Sequence, residues 1–137
     1  MRTHTPAALR IVIVERDDTV RALWKFALQL DPAVTVVDDT GDGDEGVDLI
    51  GRHHPDVVLM DVDTTCLDGL SAPFVVRHEH PAVGIVTVSE SLFLTRAIQW
   101  EAVGEVCLGR ATVPADLATI LRGAWTTRRR ALGLRDH

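Results

Sequence analysis

A chain of 137 residues carrying 14 basic and 20 acidic side chains, formal charge −6, suits one domain around one core and leaves little room for a second folded unit. The two signs are interspersed, so bulk electrostatics gives no basis for direct nucleic-acid binding. Two cysteines, Cys66 and Cys107, show no CxxC, no metal-ligand spacing and no secretory signal, and no apolar run reaches the roughly 18 residues of a membrane span; the expectation is free thiols, no membrane contact and a cytoplasmic location.

Residues 9–14 form an apolar run, after which Val20, Leu23, Trp24, Ala27 and Leu30 recur at helical spacing until Pro32 stops the pattern. Asp17 and Asp18 stand where acids cap a helix and offset its macrodipole. Residues 34–37 read as a second strand, Asp42 to Ile50 open a second helix, and residues 51–55 close it. Residues 57–60 are continuously apolar, the pattern of a strand covered on both faces, so Asp61 emerges at its carboxyl edge.

A short third helix is expected over residues 73–78, a fourth strand over 83–88 ending near Thr87, a fourth helix over 91–100 and a fifth strand over 105–108. A fifth helix follows from Pro114, with Leu117, Ile120, Leu121, Ala124 and Trp125 on one face. Such βα alternation implies a parallel sheet with helices on both faces, and ligands of open parallel sheets bind at the carboxyl edge, where Asp61 falls.

Other patterns carry less. His53 and His54 lack further ligands at useful spacing, and their reading is loop polarity. Counting a calcium loop from Asp38 puts Leu49 at the twelfth place, where a bidentate Glu is required. The run Arg128 to Arg130 suits a helix carboxyl end, which favours cations. No Gly-rich phosphate loop follows the first strand, where Glu15-Arg-Asp-Asp would repel phosphate, so a nucleotide-binding enzyme is disfavoured.

The stretch Pro55-Asp-Val-Val-Leu-Met-Asp61-Val-Asp-Thr-Thr-Cys-Leu-Asp68-Gly69-Leu70 resembles the phosphoacceptor segment of the receiver domains of two-component response regulators. The resemblance covers Leu9 to Gly123, with Thr65 in place of the usual loop proline. It implies a flavodoxin-like α/β fold with a five-stranded doubly wound parallel sheet, order 2-1-3-4-5, a receiver domain over residues 9–123, and residues 124–137 as the end of the last helix and a tail. Asp61 falls on the phosphoacceptor, Thr87 on the hydroxyl residue that contacts the phosphoryl group, and Arg110 on the contacting lysine.

The same alignment exposes departures. Glu15 falls on the first acid of the family's Mg²⁺ pair and Arg16 on the second, which leaves Glu15, Asp61 and Asp63 as candidate ligands, with Asp17 nearby. A guanidinium offers only donors and a fixed positive charge, so Mg²⁺ is expected to bind weakly or not at all. Val103 replaces a loop glycine, and Cys107 replaces the aromatic ring that moves with the threonine. Arg16 and Arg110 are expected to flank Asp61 and pair with it.

The resemblance thus implies a phosphorelay receiver, not an enzyme in its own right, with impaired or absent Mg²⁺-dependent phosphorylation. Its partner is a sensor histidine kinase or a constitutive protein, with homodimerisation through the fourth-helix to fifth-helix face as a family expectation. The competing reading is a phosphorylation-independent interaction or dimerisation module of a regulator, including the receiver part of a transcription factor.

Overall fold

The computed structural model describes residues 7–67, 69–89, 104–109 and 115–134. The expected fourth helix over 91–100, together with Asp68, Val103, Arg110 and Pro114, lies outside them. In chain order the elements are β1 (Leu9–Val14), α1 (Asp18–Gln29), β2 (Val34–Thr40), α2 (Gly43–His53), β3 (Val57–Asp61), α3 (Ala72–Glu79), β4 (Gly84–Ser89), β5 (Val106–Gly109) and α4 (Leu117–Ala131). The strands form one parallel sheet in the order β2-β1-β3-β4-β5, as expected.

Alternation along the central strands divides the core between two faces. Ile11, Ile13, Val57, Leu59, Val86 and Val88 meet Trp24 and Leu28 of α1 and Leu117, Leu121 and Ala124 of α4. Val12, Val14, Val58, Met60 and Ile85 meet Leu49 and Ile50 of α2 and Ala72 and Val76 of α3. Every residue of β3 is buried, which is why its sequence reads as an unbroken apolar run. A Cβ on Gly84 would lie 3.1 Å from the Trp125 backbone, so the absence of a side chain there lets α4 sit close on β4.

Several elements depart from their sequence outlines. β2 runs on to Thr40, because its polar Asp38 and Asp39 still pair with β1 while their side chains find cations. Arg21 and Lys25 of α1 reach Asp39 at 3.2 and 2.8 Å. α2 continues through Gly51 to His53 and ends on His54 in the left-handed region at φ 47°. Arg10 donates to the carbonyls of His53 and His54 at 2.7 and 3.0 Å, satisfying that helix end. On α1 the buried residues are Trp24 and Leu28, whereas Leu23 and, at the C-cap, Leu30 form an exposed stripe with Phe26.

Asp17 caps α1, its Oδ1 accepting the backbone N–H groups of Thr19 and Val20 at 2.9 and 3.1 Å. Asp17→Ala is expected to cost about 1 kcal/mol in urea-denaturation experiments, the usual loss for an N-cap acid. On the other side of the sheet His53 Nε2 lies 3.0 Å from Asp38 Oδ2. Partial burial works against the Asp38 charge, yet the Asp39 N–H and His53 outweigh it and hold its carboxyl below the ordinary 3.8. A depressed folded-state value stabilises the protein above pH 3.8 and ceases to do so as pH falls through the lower, folded-state value. Asp38→Asn should therefore lower the Tm slightly at neutral pH, with the gap to wild type closing in acid.

Candidate functional site

Parallel register brings two acids to the carboxyl edge of the sheet. Val14 pairs with Met60, so Glu15, the residue after β1, and Asp61, the last of β3, emerge side by side. Both are buried, at 0% and 1% exposure, where an ionised carboxylate needs partners. Each is oriented by a backbone N–H two residues further on: Asp63 donates to Asp61 Oδ1 at 2.8 Å, and Asp17 donates to Glu15 Oε1 at 3.2 Å. The segment after Asp61 is fixed by Val62 donating to the Val88 carbonyl and Thr64 to that of Asp61, at 2.9 and 3.2 Å.

Arg16 is exposed and makes no ion pair among the described residues, so the expected pairing of Arg16 with Asp61 is not formed. The physical reason is local: Asp17 turns the chain into α1 immediately after Glu15, and the intervening residue is left on the solvent side. Arg110 lies outside the described residues. Asp63 is half-buried in the loop after β3. Among the described residues no group of three or more His, Cys, Asp or Glu side chains is placed to hold a metal ion.

Receiver domains typically bind Mg²⁺ at an acidic pocket, and the buried carboxylates at this edge that could hold such an ion are Glu15 and Asp61. Mg²⁺ commonly takes one or two carboxylates and fills the rest of its octahedron with water and phosphate oxygens. Two buried, adjacent carboxylates suit it, though sparsely.

Thr87 is fully buried opposite Met60, and its Oγ1 donates to the Val106 carbonyl at 3.3 Å. Its hydroxyl therefore bonds across to β5 one register step before the edge that Asp61 occupies. Asp61 itself pairs with Val88, and the next residue, Ser89, closes β4 at 2% exposure. Sequence reading missed Ser89. Thr-Val-Ser offers two hydroxyls on one strand face, and only the β3–β4 register shows which of them stands beyond Asp61. Cys107 pairs with Thr87 and is half-buried, so the threonine and the position of the missing aromatic ring are neighbours across the sheet.

Comparison with known proteins agrees with this architecture. The family described as response regulator receiver domain matches residues 11–106. The chain is 35% identical over 83 residues to a protein-glutamate methylesterase/protein-glutamine glutaminase of Nitrosospira multiformis, covering 61% of this chain and 23% of that protein. It is 28% identical over 99 residues to the transcriptional regulatory protein DegU of Brevibacillus brevis, covering 70% of this chain and 42% of DegU. The chain thus spans only a quarter to two fifths of these relatives.

Among solved structures, the signal receiver domain of the response regulator NarL from Mycobacterium tuberculosis superposes with a TM-score of 0.79 at 23% identity, covering 88% of this chain and 98% of that one. The response regulator domain of Thermotoga maritima CheB gives a TM-score of 0.66 at 21% identity, covering 95% and 100%. These likenesses establish the fold, and the match over residues 11–106 establishes the lineage: the chain belongs to the response regulator receiver domain family of two-component signalling.

Proposed function

We propose that Asp61 accepts a phosphoryl group and that this chain does so with a weakened metal pocket. The observation that supports it is the buried Asp61 carboxylate at the sheet edge, held by the Asp63 N–H and flanked by Glu15. In the step itself a carboxylate oxygen of Asp61 forms a bond to phosphorus, the donor's P–N or P–O bond breaks, and the leaving group takes the electron pair. Asp63 N–H fixes the rotamer of the attacking carboxylate, which raises the fraction of encounters in attack geometry. Mg²⁺ held by Glu15 and Asp61 would neutralise charge on the phosphoryl oxygens.

By register Ser89, rather than Thr87, is the better candidate to supply the hydroxyl for a phosphoryl oxygen, and the family resemblance assigns the positive charge to Arg110. Arginine keeps the charge of a lysine but presents it as a planar fork, so contact geometry changes. Receiver domains interact with histidine kinases, and a sensor histidine kinase is the proposed donor. The exposed apolar residues Leu23 and Phe26 on α1 and Leu30 at its C-cap suit a protein surface rather than a small ligand. In this reading residues 9–123 are the receiver, residues 124–137 are the end of the last helix and a tail, the location is cytoplasmic, and this stretch brings no separate enzymatic activity.

A second reading rests on Arg16 and Cys107. With the second metal acid replaced by a cation and the switch ring absent, the domain acts through a constitutive partner or a homodimer and needs no phosphorylation. Incubation with a small-molecule phosphodonor, with and without Mg²⁺, separates the two by intact mass. A Mg²⁺-dependent phosphoryl adduct supports the first reading; a chain that takes no adduct under any condition supports the second.

A further inference from the structure

We infer that Asp44 of α2 is a positioning residue for Asp61, fastening the loop whose first turn orients the phosphoacceptor; the inference rests on the function proposed above. The loop between β3 and α3 is closed on itself by Cys66 donating to the Leu70 carbonyl, Gly69 to that of Cys66 and Ala72 to that of Thr64, each at 2.9 Å. A bridge between Thr65 and Ser71 adds to this closure. Val62 ties the start of the loop to β4 through the Val88 carbonyl, but these bonds leave the far limb around Leu67 unattached to the rest of the fold. That limb is placed by α2.

Two independent contacts make the attachment. The Leu67 N–H donates to Asp44 Oδ2 at 2.8 Å, across 23 residues of sequence. One residue earlier, a Cβ on Gly43 would lie against the Thr65 carbonyl, 2.9 Å from its carbon and 3.1 Å from Thr64 Cγ2, so the first turn of α2 rests directly on the loop backbone. Asp42 caps the same turn by accepting the Glu45 N–H at 2.9 Å, which keeps that turn formed, while Leu49 and Ile50 pack α2 on the sheet. Thr65 stands where a proline would limit the loop through its fixed φ, so here the stiffening comes from outside the loop. Displacing the loop would move the Asp63 N–H, 2.8 Å from Asp61 Oδ1, and with it the carboxylate rotamer.

Three variants test this in the intact chain. Asp44→Ala removes the acceptor, Asp44→Asn keeps a side-chain carbonyl oxygen in its place, and Glu45→Ala removes a neighbouring first-turn charge that has no bond to the loop. Hydrogen exchange at the Leu67 amide is measured beside the initial rate of phosphoryl adduct formation and the Tm. The expected result is that Asp44→Ala speeds Leu67 exchange about tenfold and slows adduct formation severalfold, whereas Asp44→Asn and Glu45→Ala stay near wild type in both. Unchanged Leu67 exchange in Asp44→Ala would overturn the inference, as would an Asp44→Asn rate as slow as that of alanine, which would mark a charge effect. Absence of any adduct on wild type would refute the proposed function, while the Leu67 exchange comparison would still decide whether Asp44 fastens the loop.

Discussion

Glu105→Ala is expected to destabilise the domain by about 2–4 kcal/mol, since it breaks one side of a largely desolvated, part-buried ion pair and the cost for a fully buried one is about 3–5 kcal/mol. Glu105 precedes β5 with its side chain 7% exposed, and both its oxygens accept from Arg77 of α3 at 2.7 and 2.8 Å. Its Oε2 also accepts the Ile85 N–H of β4 at 2.7 Å. Arg77 donates further to the Val83 carbonyl at 2.9 Å, and Arg128 of α4 bonds the Pro81 carbonyl at 2.6 Å while lying 3.9 Å from Glu105. One carboxylate thereby joins α3, the start of β4, the start of β5 and α4 at the sheet edge opposite Asp61.

Burial pushes the Arg77 guanidinium below its ordinary value, Glu105 works to restore it, and Arg128 repels it. Without Glu105 two cations face each other, one of them largely desolvated, and the Ile85 N–H loses its acceptor. Urea denaturation should show the midpoint falling with the slope unchanged, since the surface exposed on unfolding is the same. A double variant, Arg77→Met with Glu105→Leu, should lose markedly less than Glu105→Ala, because apolar replacement of a buried pair removes the desolvation cost along with the attraction. A loss below about 1 kcal/mol for Glu105→Ala would mean the pair is effectively solvated.

That network was not legible in the sequence. Arg77 and Glu105 are 28 residues apart and each reads locally as an ordinary helix-end or strand-start charge. Legibility followed burial. β3 could be placed because both its faces are covered, so four consecutive apolar residues had to be buried and Asp61, the charge that follows them, marked the strand end. β2 was cut short because it is an edge strand whose last residues are polar and answered by Arg21, Lys25 and His53. The helical face of α1 was misjudged at Leu23 and Leu30, since periodicity counts apolar residues without knowing which side the sheet takes.

The site divided in the same way. Asp61 could be placed at the sheet edge from pattern alone, whereas Glu15 was assigned to the site through the family resemblance. Their mutual distance, the choice between Thr87 and Ser89, and the outward course of Arg16 depend on strand register and on the turn into α1, neither of which is encoded in a local motif. The strand order came from the family resemblance, because βα periodicity is compatible with more than one winding.

Arg16→Asp is expected to tighten Mg²⁺ binding at least about fivefold and to accelerate adduct formation on Asp61 in proportion. Arg16 directly follows Glu15, so its charge stays near the pocket even with the side chain exposed. Exchanging a cation for an anion changes the local charge by two units facing a divalent ion. At roughly 8 Å in a solvent-like dielectric, after screening by about 0.1 M salt, that is worth on the order of 1 kcal/mol, or about fivefold in affinity. The new carboxylate also adds a hard oxygen donor to a set that otherwise holds Glu15 and Asp61. Arg16→Ala should give about half the gain in free energy, which separates the charge effect from direct ligation, and calorimetric Mg²⁺ titration reads both. Asp61→Asn in the Arg16→Asp background should abolish the adduct entirely while the fold persists, since asparagine has the shape of the aspartate but no anionic oxygen to attack phosphorus. An affinity unmoved by Arg16→Asp would place the cause of any weak metal binding in the two remaining carboxylates, and an adduct surviving Asp61→Asn would place the phosphoryl group on another residue.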